Sequence, residues 1–313
     1  ILKDIGGNIR VGGPEFFVTE ACEYTNSFLS FYPTIEVILN IEEDHLDFFK
    51  DIADIRHSFR LFAEKLPAGG LLVINKDIDR VEEITRGLNC RVITFGKDPS
   101  SDYTAGNITY DELGRPSYDL IVQGEVVNRI SLGVTGEHNV YNSLSAIAVA
   151  LELGVGFDGV IAGLRKFTGT DRRFEKKGEI GGVTVIDDYA HHPQEISATL
   201  KAAENYPHKR LWVVFQPHTY TRTKAFLDEF AQALSGADEV ILADIFAARE
   251  TDTLGVSSRD IAERLEKLGT SVHYIPSFDE IETFILENCM NGDLLITMGA
   301  GDIVKVGEKL LGQ

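Results

Sequence analysis

The first half of the chain alternates apolar runs of strand length with amphipathic helical segments such as 54–66. The apolar runs predict strands at 16–20, 34–40, 71–77 and 91–97. Between residues 103 and 134 apolar and polar residues alternate and are broken by turn residues, which predicts hairpins at a sheet edge. Helical patterns follow from Gly136 and over 158–166. Strands alternating with helices predict a mostly parallel sheet.

The second half repeats this alternation, and we place the domain boundary near Gly169. The predicted domains are therefore residues 1–169 and 170–313. The predicted strands are 183–187, 211–215, 239–243, 272–275 and 294–298. The predicted helices begin near Pro193, Arg222, Ser258, Ser277 and Asp302. Both halves thus read as α/β.

Polar clusters follow four strands of the second half. DYAHHP comes after the first strand, QPHTYTRT after the second, DIFAARE after the third and GAGD after the last. The carboxyl ends of parallel strands meet at one edge of a sheet, so we expect these clusters to converge on one crevice. Loops that are polar by chance would more often hold Lys, Glu, Ser and Asn. The sequence therefore predicts a binding site at this edge.

Two groups of polar residues stand out in the first half. Glu20 ends an apolar run, and His45 with Asp44 follows the next one, which suits a metal-assisted phosphate site. The alternative is that Glu20 is only a charged residue at a strand end, and that His45 lies at a helix N-terminus that Asp44 caps. His138, Asn139 and Asn142 open the long helix, where amides suit the edge of a base or, equally, cap the helix.

Composition narrows the class of protein. The chain has 313 residues, 43% of them hydrophobic, which is enough for two cores. Three separated cysteines without a CxxC pair favour reduced thiols in a cytoplasmic protein. The formal charge of −19 argues against nucleic-acid binding, and the apolar runs are too short for a membrane span. No phosphate-binding loop of the form GxxxxGK with Ser or Thr is present, so we expect the chain to start after that loop.

Eight motifs, taken in chain order, resemble the central and C-terminal domains of the Mur ligases. They are EACEYTNSFLSF, NIEEDHLD, GEHNVYNSLSA, TDRRFE, DDYAHHPQE, QPHTYTRT, DIFAARE and GAGD. The resemblance implies a P-loop-type ATPase domain, truncated at its N-terminus, followed by a Rossmann-like amino-acid-binding domain. DDYAHHP with QPHTYTRT is similar to the members that use ATP and Mg²⁺ to join L-alanine to the lactyl carboxylate of UDP-N-acetylmuramic acid, through an acyl phosphate, in peptidoglycan precursor synthesis. The members that recycle murein tripeptide are similar through the central domain.

The resemblance also implies a role for each site residue. It implies that Glu20 and His45 bind Mg²⁺, and that His138, Asn139 and Asn142 bind the nucleotide, with the two asparagines on adenine. It implies that Asp188 contacts the ribose and that Arg172 or Arg173 contacts the phosphates. The residues implied around the reacting carboxylate and alanine are His191, His192, His218, Tyr220 and Arg222. Many members carry Arg at the position of Thr219, and Asp at that of Cys22. Without the P-loop, residues 1–313 alone are expected to be inactive.

Two other readings belong to different classes of protein. A metal-dependent hydrolase would use His191 and His192 as ligands, but neighbouring residues of an extended chain point in opposite directions. A ligand-binding fragment without activity would also fit the absence of a P-loop. The sequence leaves association into a homo-oligomer open.

Overall fold

A computed structural model describes residue 2 and residues 5–313, and its strands form two six-stranded sheets. The first sheet contains, in spatial order, β1 (Ile35–Ile38), β2 (Leu71–Asn75), β3 (Arg91–Phe95), β4 (Tyr103–Tyr110), β5 (Pro116–Val122) and β6 (Glu125–Ser131). The pairs from β1 to β4 are parallel, and those from β4 to β6 are antiparallel. The hairpins predicted between residues 103 and 134 are confirmed.

Helices cover both faces of this sheet. They are α1 (Ile52–Ala63), α2 (Glu82–Thr85), α3 (Glu137–Glu152) and α4 (Phe157–Lys166), preceded by a 3-10 segment over Tyr24–Ser30. Successive residues of β2 pack on opposite layers: Leu72 joins the core under α1, and Val73 joins the core under α3. This two-sided burial explains why the strand reads as an unbroken apolar run.

The predicted strand at 16–20 is wrong in this structure. Residues 8–23 have no regular secondary structure, and Phe17 and Val18 are 86% and 92% exposed. A strand needs a neighbour for its backbone N–H and C=O groups, and among the described residues none pairs with this segment. Its apolar, β-branched composition is nevertheless that of a strand. Glu20, at its end, is exposed as a result.

The second sheet is parallel except at one edge. It contains β7 (Glu175–Ile180), β8 (Val183–Asp188), β9 (Leu211–Phe215), β10 (Glu239–Leu242), β11 (Ser271–Tyr274) and β12 (Leu294–Met298), in the spatial order β11-β10-β9-β12-β8-β7. β7 pairs antiparallel with β8 and was not predicted, because EKKGEI is polar on both faces. The five predicted strands of this half are all present.

Six helices flank the second sheet. They are α5 (Pro193–Glu204), α6 (Tyr220–Ala225), α7 (Leu227–Leu234), α8 (Ser258–Leu268), α9 (Phe278–Asn288) and α10 (Val304–Leu310). In β9, Val213 and Phe215 pack towards α5 and α7, whereas Trp212 and Val214 pack towards α9 and α10. The sheet is therefore the middle layer of three. In the described part of the chain, none of the helices combines the length and apolar character that a membrane crossing requires.

Candidate functional site

The four polar clusters of the second half lie at one edge of its sheet, as predicted. β10, β9, β12 and β8 are successive neighbours, and all run in the same direction. The loops that leave these strands therefore begin side by side. Arg172 links the ends of β8 and β12, because its guanidinium pairs with Asp187 at 2.8 Å and donates to the Gly299 carbonyl at 2.7 Å.

His191 and His192 face different cavities. His192 lines a cavity of about 1050 Å³, and His191 lines a second cavity of about 420 Å³. Both cavities reach Asp44, so they meet at that carboxylate. The two histidines therefore do not face a common site, which argues against the hypothesis of a metal ion bound by both.

Glu195, which the sequence-based assignment missed, holds this part of the site together. Its Oε2 atom accepts the backbone amides of His191 and His192 at 3.0 and 3.2 Å. Its Oε1 atom lies 3.2 Å from the guanidinium of Arg173. Burial raises the pKa of Glu195, but the charges and hydrogen bonds of His191 and Arg173 outweigh this and lower it. A glutamate three residues after a helix N-cap was the available sequence signal.

The hydrogen bonds assign the tautomer of each of the two histidines. His192 Nδ1 accepts from the Gln194 amide at 3.4 Å, so Nε2 carries the hydrogen that meets the Glu43 carbonyl at 3.1 Å. His191 Nδ1 lies 3.0 Å from the Tyr189 carbonyl and 3.2 Å from the carboxylate of Glu195, two acceptors, so Nδ1 carries the hydrogen. The lone pair of neutral His191 is then on Nε2. Burial lowers the pKa of His191, which favours this neutral form.

His218 and Arg222 also line the second cavity. Arg222 Nη1 donates to His218 Nδ1 at 3.3 Å, which places the hydrogen of neutral His218 on Nε2. Burial, followed by the proximity of His191 and of the Arg222 guanidinium, lowers the pKa of His218 to about 4. Its ring lies 5.7 Å from that of His191 and stacks on Phe246, also at 5.7 Å. His218 is therefore neutral at pH 7.

Residues 42–47, after β1, bring the first half of the chain to this edge. Asp44 pairs with Arg222 at 2.9 Å, and burial, which raises the pKa of Asp44, is outweighed by that guanidinium, so the pKa falls. Asp47 lies 3.3 Å from Arg249, which also donates to Tyr24. The two cavities are thus bounded by side chains from both sheets.

Most of the residues predicted to bind the nucleotide line the larger cavity. They are His138, Asn139, Asn142, Arg173 and Asp188. Asn139 donates its side-chain amide to the Thr135 carbonyl at 2.7 Å, and no side-chain cap is present at the start of α3. Asp188 is buried and accepts the amides of Phe174 and Ala190, both at 2.8 Å. Burial raises its pKa to about 6.

Three other predicted residues lie elsewhere. Arg172 lines neither cavity, since its donors are used on Asp187 and on loop carbonyls; of the two arginines proposed for the phosphates, Arg173 alone faces the larger cavity. Tyr220 also lines neither cavity, and its backbone amide donates to Glu250. Glu20 lies on the exposed segment described above.

The structure places a different carboxylate from Glu20 beside His45. The ring Nε2 atom lies 3.4 Å from Glu23 and 3.9 Å from Asp44. The hydrogen bond to Glu23 raises the pKa of His45 and lowers that of Glu23. Over residue 2 and residues 5–313, no group of three or more His, Cys, Asp or Glu is arranged to hold a metal ion. The assignment of Glu20 and His45 as Mg²⁺ ligands stays a prediction.

Comparison with known proteins agrees with this geometry. Residues 7–150 match the model of the Mur ligase middle domain, and residues 172–301 match the Mur ligase, glutamate ligase domain. The chain belongs to the Mur ligase family. It is 64% identical over 312 residues to UDP-N-acetylmuramate–L-alanine ligase of Lachnospira eligens, covering 99% of this chain and 68% of that protein. It is 58% identical to the enzyme of that name from Agathobacter rectalis, with the same coverage.

Solved structures show the same fold. UDP-N-acetylmuramate-alanine ligase of Thermotoga maritima superposes with a TM-score of 0.75 and 25% identity, covering 92% of this chain and 61% of that one. A murein peptide ligase of Psychrobacter arcticus gives a TM-score of 0.64 at 24% identity, with 91% and 58% coverage. The chain thus spans about three fifths of these solved chains. The α/β fold of two Mur ligase domains is confirmed.

Proposed function

We propose that this chain is the ATP-binding and amino-acid-binding part of a ligase that joins L-alanine to the lactyl carboxylate of UDP-N-acetylmuramic acid, in peptidoglycan precursor synthesis. The observation that carries the proposal is the division of the site by His191 and His192. The larger cavity is lined by Asn139, Asn142 and Arg173, among others, and has a volume suited to a nucleotide. The lining of the second cavity includes His191, His218 and Arg222. The cavities meet at Asp44, where a phosphoryl group and an amine would come together.

The larger cavity would take ATP as a substrate. Its volume of about 1050 Å³ accommodates a nucleotide, Asn139 and Asn142 supply donors and acceptors for a base, and Arg173 supplies a cation for the phosphates. Mg²⁺ is expected to accompany the phosphates as a counter-ion. Glu20 and His45 remain its predicted ligands.

The second cavity would hold the incoming amino acid. Arg222 is a guanidinium that suits a carboxylate, although Asp44 pairs with it in this structure. The attacking amine must first lose a proton from its ammonium form. Neutral His191 is suited to accept it, because its lone pair is on Nε2, whereas the Nδ1 lone pairs of His192 and His218 already accept hydrogen bonds.

The same proposal includes the domain boundary, the location and the partners of the protein. We place the boundary between its two domains near Gly169, between α4 and β7. Because the chain has three separated free cysteines and a strongly negative charge, we assign it to the cytoplasm and expect neither nucleic acid nor a membrane as a partner. Homo-oligomer formation stays open.

A chimera provides the test. The 313 residues replace the matching 68% of the Lachnospira eligens relative, giving a protein of full family length that we call the completed chimera. With ATP and Mg²⁺, we expect phosphate release that requires both UDP-N-acetylmuramic acid and L-alanine. We also expect a product that is heavier than the sugar nucleotide by one alanyl residue. Preference for a murein tripeptide over L-alanine would instead assign the chain to the recycling reaction. Absence of both products would contradict the proposal.

A further inference from the structure

The turn between β9 and α6 carries two residues of the second cavity, His218 and Arg222. Thr219, between them, has φ +66° and ψ 144°, a left-handed conformation that is unfavourable for a β-branched residue. Such a conformation persists only where surrounding contacts fix it. The contacts that hold this turn therefore decide where both side chains point.

The loop after β10 supplies those contacts. Thr219 donates its amide to the Phe246 carbonyl at 2.9 Å, and Phe246 donates to the Pro217 carbonyl at 2.8 Å. The Oε2 atom of Glu250 accepts the amides of Tyr220 and Thr221 at 2.5 and 3.1 Å. Hydrogen bonds therefore hold the strained residue at its own amide, through the Phe246 carbonyl, and at the two amides that follow it, through the carboxylate of Glu250.

We propose that Glu250 is a positioning residue of the amino-acid site, which holds the turn 218–222 so that His218 and Arg222 face the second cavity. It lines that cavity itself but acts through two backbone amides. The role rests on the function proposed above, since it concerns the pocket assigned to alanine. The motif DIFAARE thereby supplies the carboxylate that holds the backbone of the motif QPHTYTRT.

Variants of the completed chimera test this role. Glu250→Ala removes the acceptor, so we expect KM for L-alanine to rise about tenfold or more through misplacement of the two side chains. The Kd for ADP, measured by calorimetry, should change less than about twofold, because Glu250 does not line the larger cavity. Glu250→Gln keeps an oxygen acceptor and should restore most of the alanine affinity. Glu266→Ala, an exposed carboxylate on α8, is the matched control and should leave both values unchanged.

Hydrogen exchange provides a readout that does not depend on the reaction. Exchange at the Tyr220 and Thr221 amides should become faster in Glu250→Ala and stay slow in Glu250→Gln. If the unmodified chimera does not use alanine, the proposed function fails, whereas this measurement still decides the role of Glu250. Unchanged exchange, or equal loss of alanine affinity in the Gln and Ala variants, would overturn the positioning role. If Glu250→Ala does not fold, Glu250→Asp, whose side chain is too short for both amides, replaces it.

Discussion

The charge states of the histidines at the site are set by their immediate neighbours. His45 has a carboxylate within 3.4 Å, so its pKa is raised, whereas burial of half-buried His218, together with the nearby guanidinium of Arg222, lowers its pKa to about 4. The raised pKa of His45 stabilises the fold below the ordinary value of 6.5, and this contribution is lost as the pH rises through the folded-state pKa. The pKa values of two histidines of one site are thus shifted in opposite directions.

Glu23→Gln is expected to lower the pKa of His45, because the largest cause of its upward shift is the hydrogen bond that its ring donates to that carboxylate. Titration of the histidine rings by NMR measures this, and His218 should show no titration above about pH 6 in either protein. Glu266→Gln is the control. A His45 pKa that does not move would mean that the contact with Glu23 is absent in solution.

Arg222→Lys keeps a positive charge but loses the paired donors of the guanidinium. In the completed chimera we expect kcat/KM for L-alanine to fall by about tenfold or more, with ADP affinity nearly unchanged. Arg264→Lys is a suitable control, since Arg264 pairs with the exposed carboxylate of Asp228 away from both cavities. Equal kinetics in the two variants would remove Arg222 from the amino-acid site.

At this scale the sequence predicts residue types more readily than contacts. DYAHHP predicts that His191 and His192 point in opposite directions, because neighbours on an extended chain must. The contact of Glu195 with the His192 amide is local and follows the capping-box spacing, whereas that of Glu250 is set by tertiary structure, since its carboxylate reaches a backbone amide 30 residues away. For the same reason the sequence left Arg172 and Arg173 equivalent, although only one of them faces the larger cavity.

Among the elements, β1 contains a residue that conflicts with its position. Glu36 is 2% exposed, and neither of its carboxylate oxygens has a hydrogen-bond partner. Burial therefore raises its pKa from 4.5 to about 8. A carboxyl group whose pKa is raised on folding costs stability as the pH rises from the unfolded-state value to the folded-state value. β1 is thus least destabilised in mild acid.

Glu36→Leu should stabilise the chain at pH 7 by roughly 3 kcal/mol, because the group must take up a proton on folding. The gain from this effect should shrink to roughly 1 kcal/mol at pH 5. Urea unfolding at the two pH values measures the difference, with the exposed Glu82→Leu as control. A gain independent of pH would mean that Glu36 is not buried in its protonated form.

Elements buried on both faces were predicted most accurately. Strands 211–215 and 294–298 agree with the structure residue for residue, because apolar runs of five residues between turn residues are too short for a helix and have the length of a buried strand. FFVTE has the same texture but no neighbour to pair with, and β7 has a neighbour but no apolar texture. Pairing is a property of the sheet, and local sequence does not report it.

In the whole molecule, the site exists only where the two halves meet. Asp44 of the first half pairs with Arg222 of the second, and Gln194 of the second donates to Glu42 of the first. The absence of a phosphate-binding loop predicts that residues 1–313 alone show no alanine-dependent ATP hydrolysis, whereas the completed chimera does. Phosphate release measures both proteins, and turnover by the 313 residues alone would contradict this prediction.

The central claim is that the larger cavity holds the nucleotide and the second cavity holds the amino acid. Paired variants of the completed chimera test it most directly, with KM for ATP and for L-alanine measured in each. Asn139→Ala should raise KM for ATP about tenfold and leave that for alanine within about twofold, and His218→Ala should do the reverse. If both variants raise the same constant, or if the effects are exchanged, the assignment of the two cavities is contradicted.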